Sequence, residues 1–341
     1  MQLVTDKIKG IEQDAVSDNR HGYVVGVDVG GTNLRMALAD MTGTPLIKWS
    51  TSTVDLRGPD AVIGLIVDGV KNLLKQAGVE AEALRSIAVG VPGVTNTEDG
   101  VVIATSYLMG WRNVPLKALL ETELQVPTAV DNDVNLAAIG ENWAGAAQGE
   151  RDFVFLAIGT GIGAGIVLNG CPYRGSGWAA GEIGYMLLPG TADGPGKSHE
   201  PGALESMIGG EGIRGQWRTT WSVDKTLLPK ELTATEIFVH AQRGEALAQT
   251  ILRGSATMLA HAIYNISLVL NCALFVLGGS VGAHPALRDA VQNVVDQWHI
   301  RGRIRLVRSA LGTEAQLLGA IRTALDTANA YAASATVVIR G

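Results

Sequence analysis

Twice along this 341-residue chain an apolar strand runs into a glycine turn and comes back as a second strand. In the first copy, residues 23–28 (YVVGVD) precede Gly30-Gly31, and Leu34, Met36 and Leu38 alternate as the buried face of the returning strand. Met41-Thr42-Gly43 then turns the chain into a third strand over 46–50. In the second copy, 153–158 is apolar, Gly159-Thr160-Gly161 turns, 163–168 returns and Asn169-Gly170 marks a further hairpin. Setting Asp28-Val29-Gly30-Gly31-Thr32 against Ile158-Gly159-Thr160-Gly161 gives a period of ~130 residues, far beyond that of a solenoid repeat. This implies a duplicated α/β domain, and the chain is long enough for two cores of roughly 150 residues each. The expected organisation is a polar extension over 1–21, a smaller first lobe over 22–135 completed by a C-terminal helix at 315–332, and a larger second lobe over 136–314.

Between and after the repeats the apolar spacing alternates between strand and helix. Val62, Ile63, Ile66, Val67, Val70 and Leu74 predict a helix over 60–77, followed by a strand over 85–91 ending in Pro92-Gly93. A Gly/Pro loop over 189–202 leads to helices expected at 235–253 and 254–271, a strand at 273–277 and a turn at Gly278-Gly279. A helix at 285–297, a strand at 304–308 and a helix at 315–332 close the pattern.

Charge and cysteine content narrow the function. A net charge of −6 gives no footprint for nucleic acid or an anionic membrane, which call for clustered Lys and Arg, so a small-molecule partner is expected. Cys171 and Cys272 are too few for a disulfide framework or a four-thiolate metal site and fit a reducing, cytoplasmic setting. The first residues mix charges into every turn, unlike a signal peptide. The apolar stretch over 266–277 contains Asn271 and falls short of the ~20 residues that span a bilayer.

Three glycine turns follow apolar strands directly: Gly30-Gly31, Gly159-Thr160-Gly161 and Gly278-Gly279. Backbone N–H groups in such turns face one concavity, and glycine lets an anionic oxygen approach without a Cβ in the way. Any one of them reads equally as a tight hairpin; three together favour phosphate. Thr32 and Thr160 carry hydroxyls that can donate to it, and Asp28 ends its strand where a Mg²⁺ shell could be held. Gly196-Lys197-Ser198 lacks the first glycine of a Walker loop, and Gly159, Gly161, Gly163 and Gly165 lead into a strand rather than the helix of a dinucleotide fingerprint.

Asp131-Asn132-Asp133-Val134-Asn135 stands where a strand at 128–130 gives way to a helical run through Asn142. Asp133 there is either a helix N-cap or the base that takes the proton of a sugar hydroxyl attacking a γ-phosphate. On the second reading Asn132 fixes that hydroxyl by donating and accepting. Glu182 in Gly181-Glu182-Ile183-Gly184, and Glu205 after Leu204, are solvated surface charges or ligands for vicinal sugar hydroxyls.

Taken in order, these motifs resemble the ROK family of repressors, uncharacterised frames and sugar kinases, over nearly the whole chain from Tyr23 to about Leu325. The resemblance implies an α/β, two-lobed actin/hexokinase-like (ASKHA) fold with duplicated ribonuclease H-like domains. The segment Asp28-Val-Gly30-Gly31-Thr32-Asn-Leu-Arg35 is similar to the family's first phosphate motif, Ile158-Gly-Thr160-Gly161-Ile-Gly163 to the second, and Leu277-Gly278-Gly279-Ser280-Val281 to its adenosine motif. Gly90-Val-Pro-Gly93 and Gly110-Trp111 match positions around the sugar. By the same resemblance Asp133 is the catalytic base, Asn132 its neighbour on the sugar, and Glu182 and Glu205 sugar-binding carboxylates.

The implied activity is ATP- and Mg²⁺-dependent phosphorylation of a hexose, with glucose to glucose 6-phosphate leading and N-acetylmannosamine or fructose behind, in a homodimer or homotetramer. A non-catalytic sugar-binding regulator is the alternative. Family repressors carry a helix-turn-helix domain before the first phosphate motif, and the ~20 residues that precede it here are fewer than such a domain requires, which favours the kinase branch.

Two departures stand out. The family's Gly-Glu-Ile-Gly-His becomes Gly181-Glu182-Ile183-Gly184-Tyr185, and its Cys-x-Cys-Gly-x-x-Gly-Cys-x-Glu zinc motif becomes a run from Gly196 through Ser198, Gly202 and Ala203 to Glu205. No structural zinc is therefore expected, since Tyr185, Gly196, Ser198 and Ala203 are not zinc ligands and Asp193, His199 and Glu200 make only an improvised set. Packing must hold this segment instead, with Tyr185 and Leu204 expected as anchors beneath it. Tyr185, and Tyr107 where kinases of the family commonly have Asn-Leu, leave the identity of the sugar open.

Overall fold

The computed structural model describes residues 22–54, 56–105, 108–192, 194, 200–298 and 303–340. The expected extension over 1–21, together with Ser106, Tyr107, Asp193, Gly196, Ser198 and His199, lies outside the described residues. The chain divides into two compact units, one drawn from Met1–Leu136 and Gln316–Gly341 and the other from Ala137–Ala315.

The first unit is built on β1 (Tyr23–Val29), β2 (Asn33–Asp40) and β3 (Pro45–Ser52). Every residue of β1 is buried, which is why its sequence is a continuous apolar run broken only by Gly26 and Asp28. Helix α1 (Gly58–Ala77) starts with a proline in its first turn and ends at Gly78 in the left-handed conformation, burying Val62, Ile63, Ile66, Val67, Val70, Leu73 and Leu74 on one face. Then come β4 (Leu84–Val91), a small sheet of β5 (Val94–Asn96), β6 (Val101–Ala104) and β7 (Arg112–Val114), helix α2 (Leu116–Leu124), β8 (Thr128–Asn132) and α3 (Asp133–Ala144). The main sheet runs β3-β2-β1-β4-β8, antiparallel across the first two pairings and parallel across the last two.

The second unit repeats this plan with β9 (Phe153–Ile158), β10 (Ile162–Leu168) and β11 (Cys171–Tyr173). Helices α4 (Glu205–Ile208), α5 (Gly210–Thr220), α6 (Ala234–Gln242) and α7 (Ala246–Leu270) lead to β12 (Leu274–Gly278), α8 (Gly279–Gly282), α9 (Pro285–Gln297) and β13 (Arg305–Arg308). Its sheet runs β11-β10-β9-β12-β13 with the same sequence of antiparallel and parallel pairings. Identical strand order and sense in both units is the duplication the glycine-turn repeat implies. Helix α10 (Ala315–Arg340) follows and extends beyond the expected end at 332. No helix among the described residues is long and apolar enough to cross a membrane.

Several elements differ from the sequence expectation. The expected break at 253/254 falls inside α7; the chain breaks earlier because Gly244 adopts φ +89° and the Glu245 carboxylate caps the next helix by accepting from Ala248 N. Gly254 sits on the exposed side of α7, where a glycine costs only about 1 kcal/mol of helix propensity. Helix α5 has no strong signal because it carries Gly210, Gly212 and Gly215; burial of Ile213 and Trp217, four apart on one face, holds it. Gly278-Gly279 is not a free turn, since Gly279 opens α8.

Candidate active site

In the first unit, Asp28 and Arg35 stand directly opposite each other across the β1–β2 ladder, and that register makes their ion pair. Arg35 Nε and Nη2 both donate to Asp28 Oδ2, at 3.0 and 2.6 Å. Burial raises the Asp28 carboxyl above its ordinary range, and the charge and hydrogen bonds of Arg35 oppose that shift. Oδ1 carries no hydrogen bond among the described residues, so one oxygen is left for a ligand. Mg²⁺ commonly takes one or two protein carboxylates and completes its shell with phosphate and water, which fits a single open oxygen here.

The turn from β1 into β2 closes with Gly30 N donating to Asn33 O at 2.8 Å and exposes Gly31 and Thr32. Asn33 Nδ2 donates to Thr32 Oγ1 at 3.1 Å, which leaves the Thr32 hydroxyl hydrogen to be donated outward. Buried Thr53, just past β3, braces the turn from beneath: its N–H bonds Thr32 O at 2.9 Å and its hydroxyl bonds Gly30 O at 3.0 Å. Sequence reasoning missed Thr53, because nothing local to the glycine turn points to a residue some twenty positions on.

At the β8–α3 junction Asn132 does the capping. Its Oδ1 accepts from Val134 N at 2.8 Å and Asn135 N at 3.2 Å, while Nδ2 donates to Gly93 O at 2.9 Å. Gly93 has φ +102°, and a Cβ there would stand 2.3 Å from Ala104 O, so only glycine presents its carbonyl in this way. With both lone pairs of Oδ1 used, Asn132 has one N–H left to donate and cannot also accept from a hydroxyl, which narrows the expected role. Asp133 opens α3 half-buried, its Oδ1 accepting from Val134 N at 3.0 Å.

The second unit gathers Thr160, Gly161, Glu182 and Glu205. Gly159 N donates to Gly161 O at 2.9 Å to close the turn, and Thr160 is exposed at its tip. Glu205 opens α4 and accepts from Ile162 N, the first residue of β10, at 3.0 Å through Oε2. Glu182 keeps solvent access but is hemmed in by protein; desolvation first, and the charge of Glu205 second, push its carboxyl up. These two are therefore neighbouring carboxylates rather than independent surface charges.

Tyr185 ends a 3₁₀ turn over Ile183–Tyr185 and is 39% exposed, whereas Leu204 is fully buried. Leu204 is thus a buried anchor for the segment. The Leu204 N–H donates to Gly184 O at 3.0 Å, and Gly202 lies so near Gly184 that a Cβ would meet its carbonyl oxygen at 2.2 Å. Backbone contact therefore holds the segment from Gly202 onward. Gly278 ends β12 and Gly279 starts α8 with φ +78°. Among the described residues no group of three or more His, Cys, Asp or Glu could hold a metal ion.

A model of the ROK family matches residues 24–327. The chain belongs to the ROK family. A glucokinase from Halalkalibacterium halodurans is 33% identical over 266 residues, 76% of this chain and 80% of that protein. The crystal structure of a ROK hexokinase from Thermus thermophilus is 29% identical with a TM-score of 0.71, covering 89% of this chain and 97% of that one. A ROK family transcriptional regulator, a homologue of the E. coli MLC protein, superposes with a TM-score of 0.78 at 23% identity, covering 93% and 84%. The fold is accordingly the actin/hexokinase-like (ASKHA) one of these ROK structures. Since the ROK family spans kinases and regulators, fold alone does not separate them, and the site residues must.

Proposed function

We propose that this ROK protein is an ATP-dependent sugar kinase that transfers the γ-phosphoryl group of ATP to a hexose hydroxyl, with glucose as the leading acceptor and glucose 6-phosphate as product. The observation that carries the reading is the β8–α3 junction. Asn132 takes over the capping of α3 and is pinned to Gly93, so a carboxylate at position 133 is not required to start the helix. A regulator needs no base there. A general base for a hydroxyl attacking phosphorus must sit within hydrogen-bond reach of it, on a rigid support, and a helix start anchored by its own cap provides one.

Each remaining residue then has a part. Asp133 receives the hydroxyl proton as the O–P bond forms. The spare N–H of Asn132 donates to a sugar oxygen, Glu182 and Glu205 accept from vicinal hydroxyls, and Gly93 and Tyr185 are further contacts for the sugar. N–H groups of Gly31 and Gly161 and the hydroxyls of Thr32 and Thr160 donate to phosphate oxygens, with Gly30 closing the first turn through its own N–H; Gly278 and Gly279 lie against the nucleoside. Asp28 Oδ1 would hold Mg²⁺, which supplies charge neutralisation on the phosphates, and Arg35 keeps that carboxylate oriented. The 33% identity to a glucokinase supports glucose, while Tyr185 in place of the usual family His keeps N-acetylmannosamine and fructose as the next acceptors to try. A cytoplasmic homodimer or homotetramer, with no nucleic acid or membrane partner, belongs to the same proposal.

The test is ADP release with ATP and Mg²⁺ across a panel of hexoses, for the wild type and Asp133→Asn. Sugar-stimulated release that drops by about 100-fold or more in D133N, with thermal stability preserved, supports the base. Sugar binding by calorimetry without any stimulated turnover would establish the regulator instead.

A further inference from the structure

Glu205 has two oxygens and two neighbourhoods. Oε2 accepts the N–H of Ile162, which directly follows the Gly159-Thr160-Gly161 turn, while Oε1 carries no hydrogen bond among the described residues. The segment that Glu205 begins presses on the same turn along its length. Gly210 N donates to Gly159 O at 2.8 Å, and a Cβ on Gly209 would lie 2.9 Å from Thr160 O. On its other side, Glu205 is close enough to Glu182 to raise that carboxyl.

We propose that Glu205 is a positioning residue for the phosphate-binding turn as well as a sugar ligand, so that one side chain couples the acceptor end of the site to the phosphate end. The turn carries exposed Thr160, and its backbone depends on where β10 begins. A charge-assisted hydrogen bond from a carboxylate to a backbone N–H is short and directional, and it sets that starting point. A hydroxyl that draws on Oε1 therefore acts on the same rigid group that holds Ile162. The inference rests on the kinase reading for what the two ends bind, but not for the contact itself.

Three substitutions separate support from binding. Glu205→Asp withdraws the carboxylate by about 1.5 Å and breaks the bond to Ile162. Glu205→Gln keeps an oxygen that can accept from Ile162 N but loses the charge. Glu182→Gln alters the neighbouring carboxylate alone. E205D is expected to weaken AMPPNP binding about tenfold, the worth of one charge-assisted bond, and to raise the KM for glucose. E205Q and E182Q should raise the KM for glucose while leaving AMPPNP affinity within about twofold.

Hydrogen exchange at Ile162 supplies a readout that needs no activity: it should accelerate in E205D and stay slow in E205Q and E182Q. Unchanged exchange at Ile162 in E205D, or unchanged AMPPNP affinity beside a raised KM for glucose, overturns the coupling and leaves Glu205 a sugar ligand only. A wild type that releases no ADP with any hexose overturns the kinase reading instead, and exchange at Ile162 still decides whether Glu205 sets the turn.

Discussion

Glu141, fully buried within α3, offers the sharpest test of how the second unit is held. Its Oε1 accepts from the Ser309 hydroxyl and from Leu311 N at 3.0 Å; its Oε2 accepts from Ala146 N at 2.7 Å and Ala310 N at 3.2 Å. One carboxylate thus ties α3 to the segment between β13 and α10. Glu141→Gln preserves shape but turns one oxygen into an NH₂ group. With the NH₂ on the Oε2 side, Ala146 N and Ala310 N both lose their acceptor; on the Oε1 side the Ser309 hydroxyl can turn to accept from it, and only Leu311 N is left unpaired. The amide takes the second orientation, and one buried unsatisfied donor costs about 1–3 kcal/mol. Losing the charge returns some desolvation energy, but four donors had already compensated the carboxylate, so the loss prevails. At about 2–4 °C per kcal/mol for a unit of this size, the melting transition should fall by about 3–10 °C. Calorimetry measures the shift, and hydrogen exchange over 309–312 should show where it originates. An E141Q protein melting within about a degree of wild type would refute the reasoning, because the four bonds would then carry no net stability.

Three further outcomes follow from the same contacts. Because the folded state raises the Glu182 carboxyl, its charged form is disfavoured: the contribution to stability is full below the unfolded value and is lost as pH rises through the folded one. Glu182→Gln should therefore be more stable than wild type near pH 7, by about 0.5 kcal/mol or less given solvent screening, with the gap closing by about pH 4; a gap independent of pH in melting curves speaks against it. Burial lowers the His284 imidazole, whose neutral Nδ1 accepts from Ala286 N at 3.2 Å to cap α9, so stability should fall as pH drops from about 6.5 toward the lower folded value. His284→Asn keeps a cap at every pH and should flatten that slope, which denaturation at pH 5 and 7.5 would check. Protein purified without added metal should contain well under one zinc per chain by elemental analysis, and a zinc chelator should leave its melting temperature unchanged; stoichiometric zinc, or collapse on chelation, would mean that ligands come from elsewhere.

Strand–glycine–strand periodicity was enough to show that this chain holds two copies of one α/β plan, because a fully buried strand reads as an apolar run and a phosphate-sized turn needs glycine whatever surrounds it. The ordered motifs were enough to place it in the ROK family, as the match over residues 24–327 bears out. What the sequence could not reveal is which polar atom each group spends on structure. Asn132 reads as a group that both donates and accepts until its oxygen is found capping α3, which leaves only an N–H to offer. Thr53 beneath the first turn, Glu205 on Ile162 and Glu141 on the 309–311 segment have no local signature at all. Periodicity and turn chemistry are properties of neighbours along the chain, whereas these bonds join residues from about twenty to 170 positions apart; only the packing of the sheets and helices brings each donor to its acceptor.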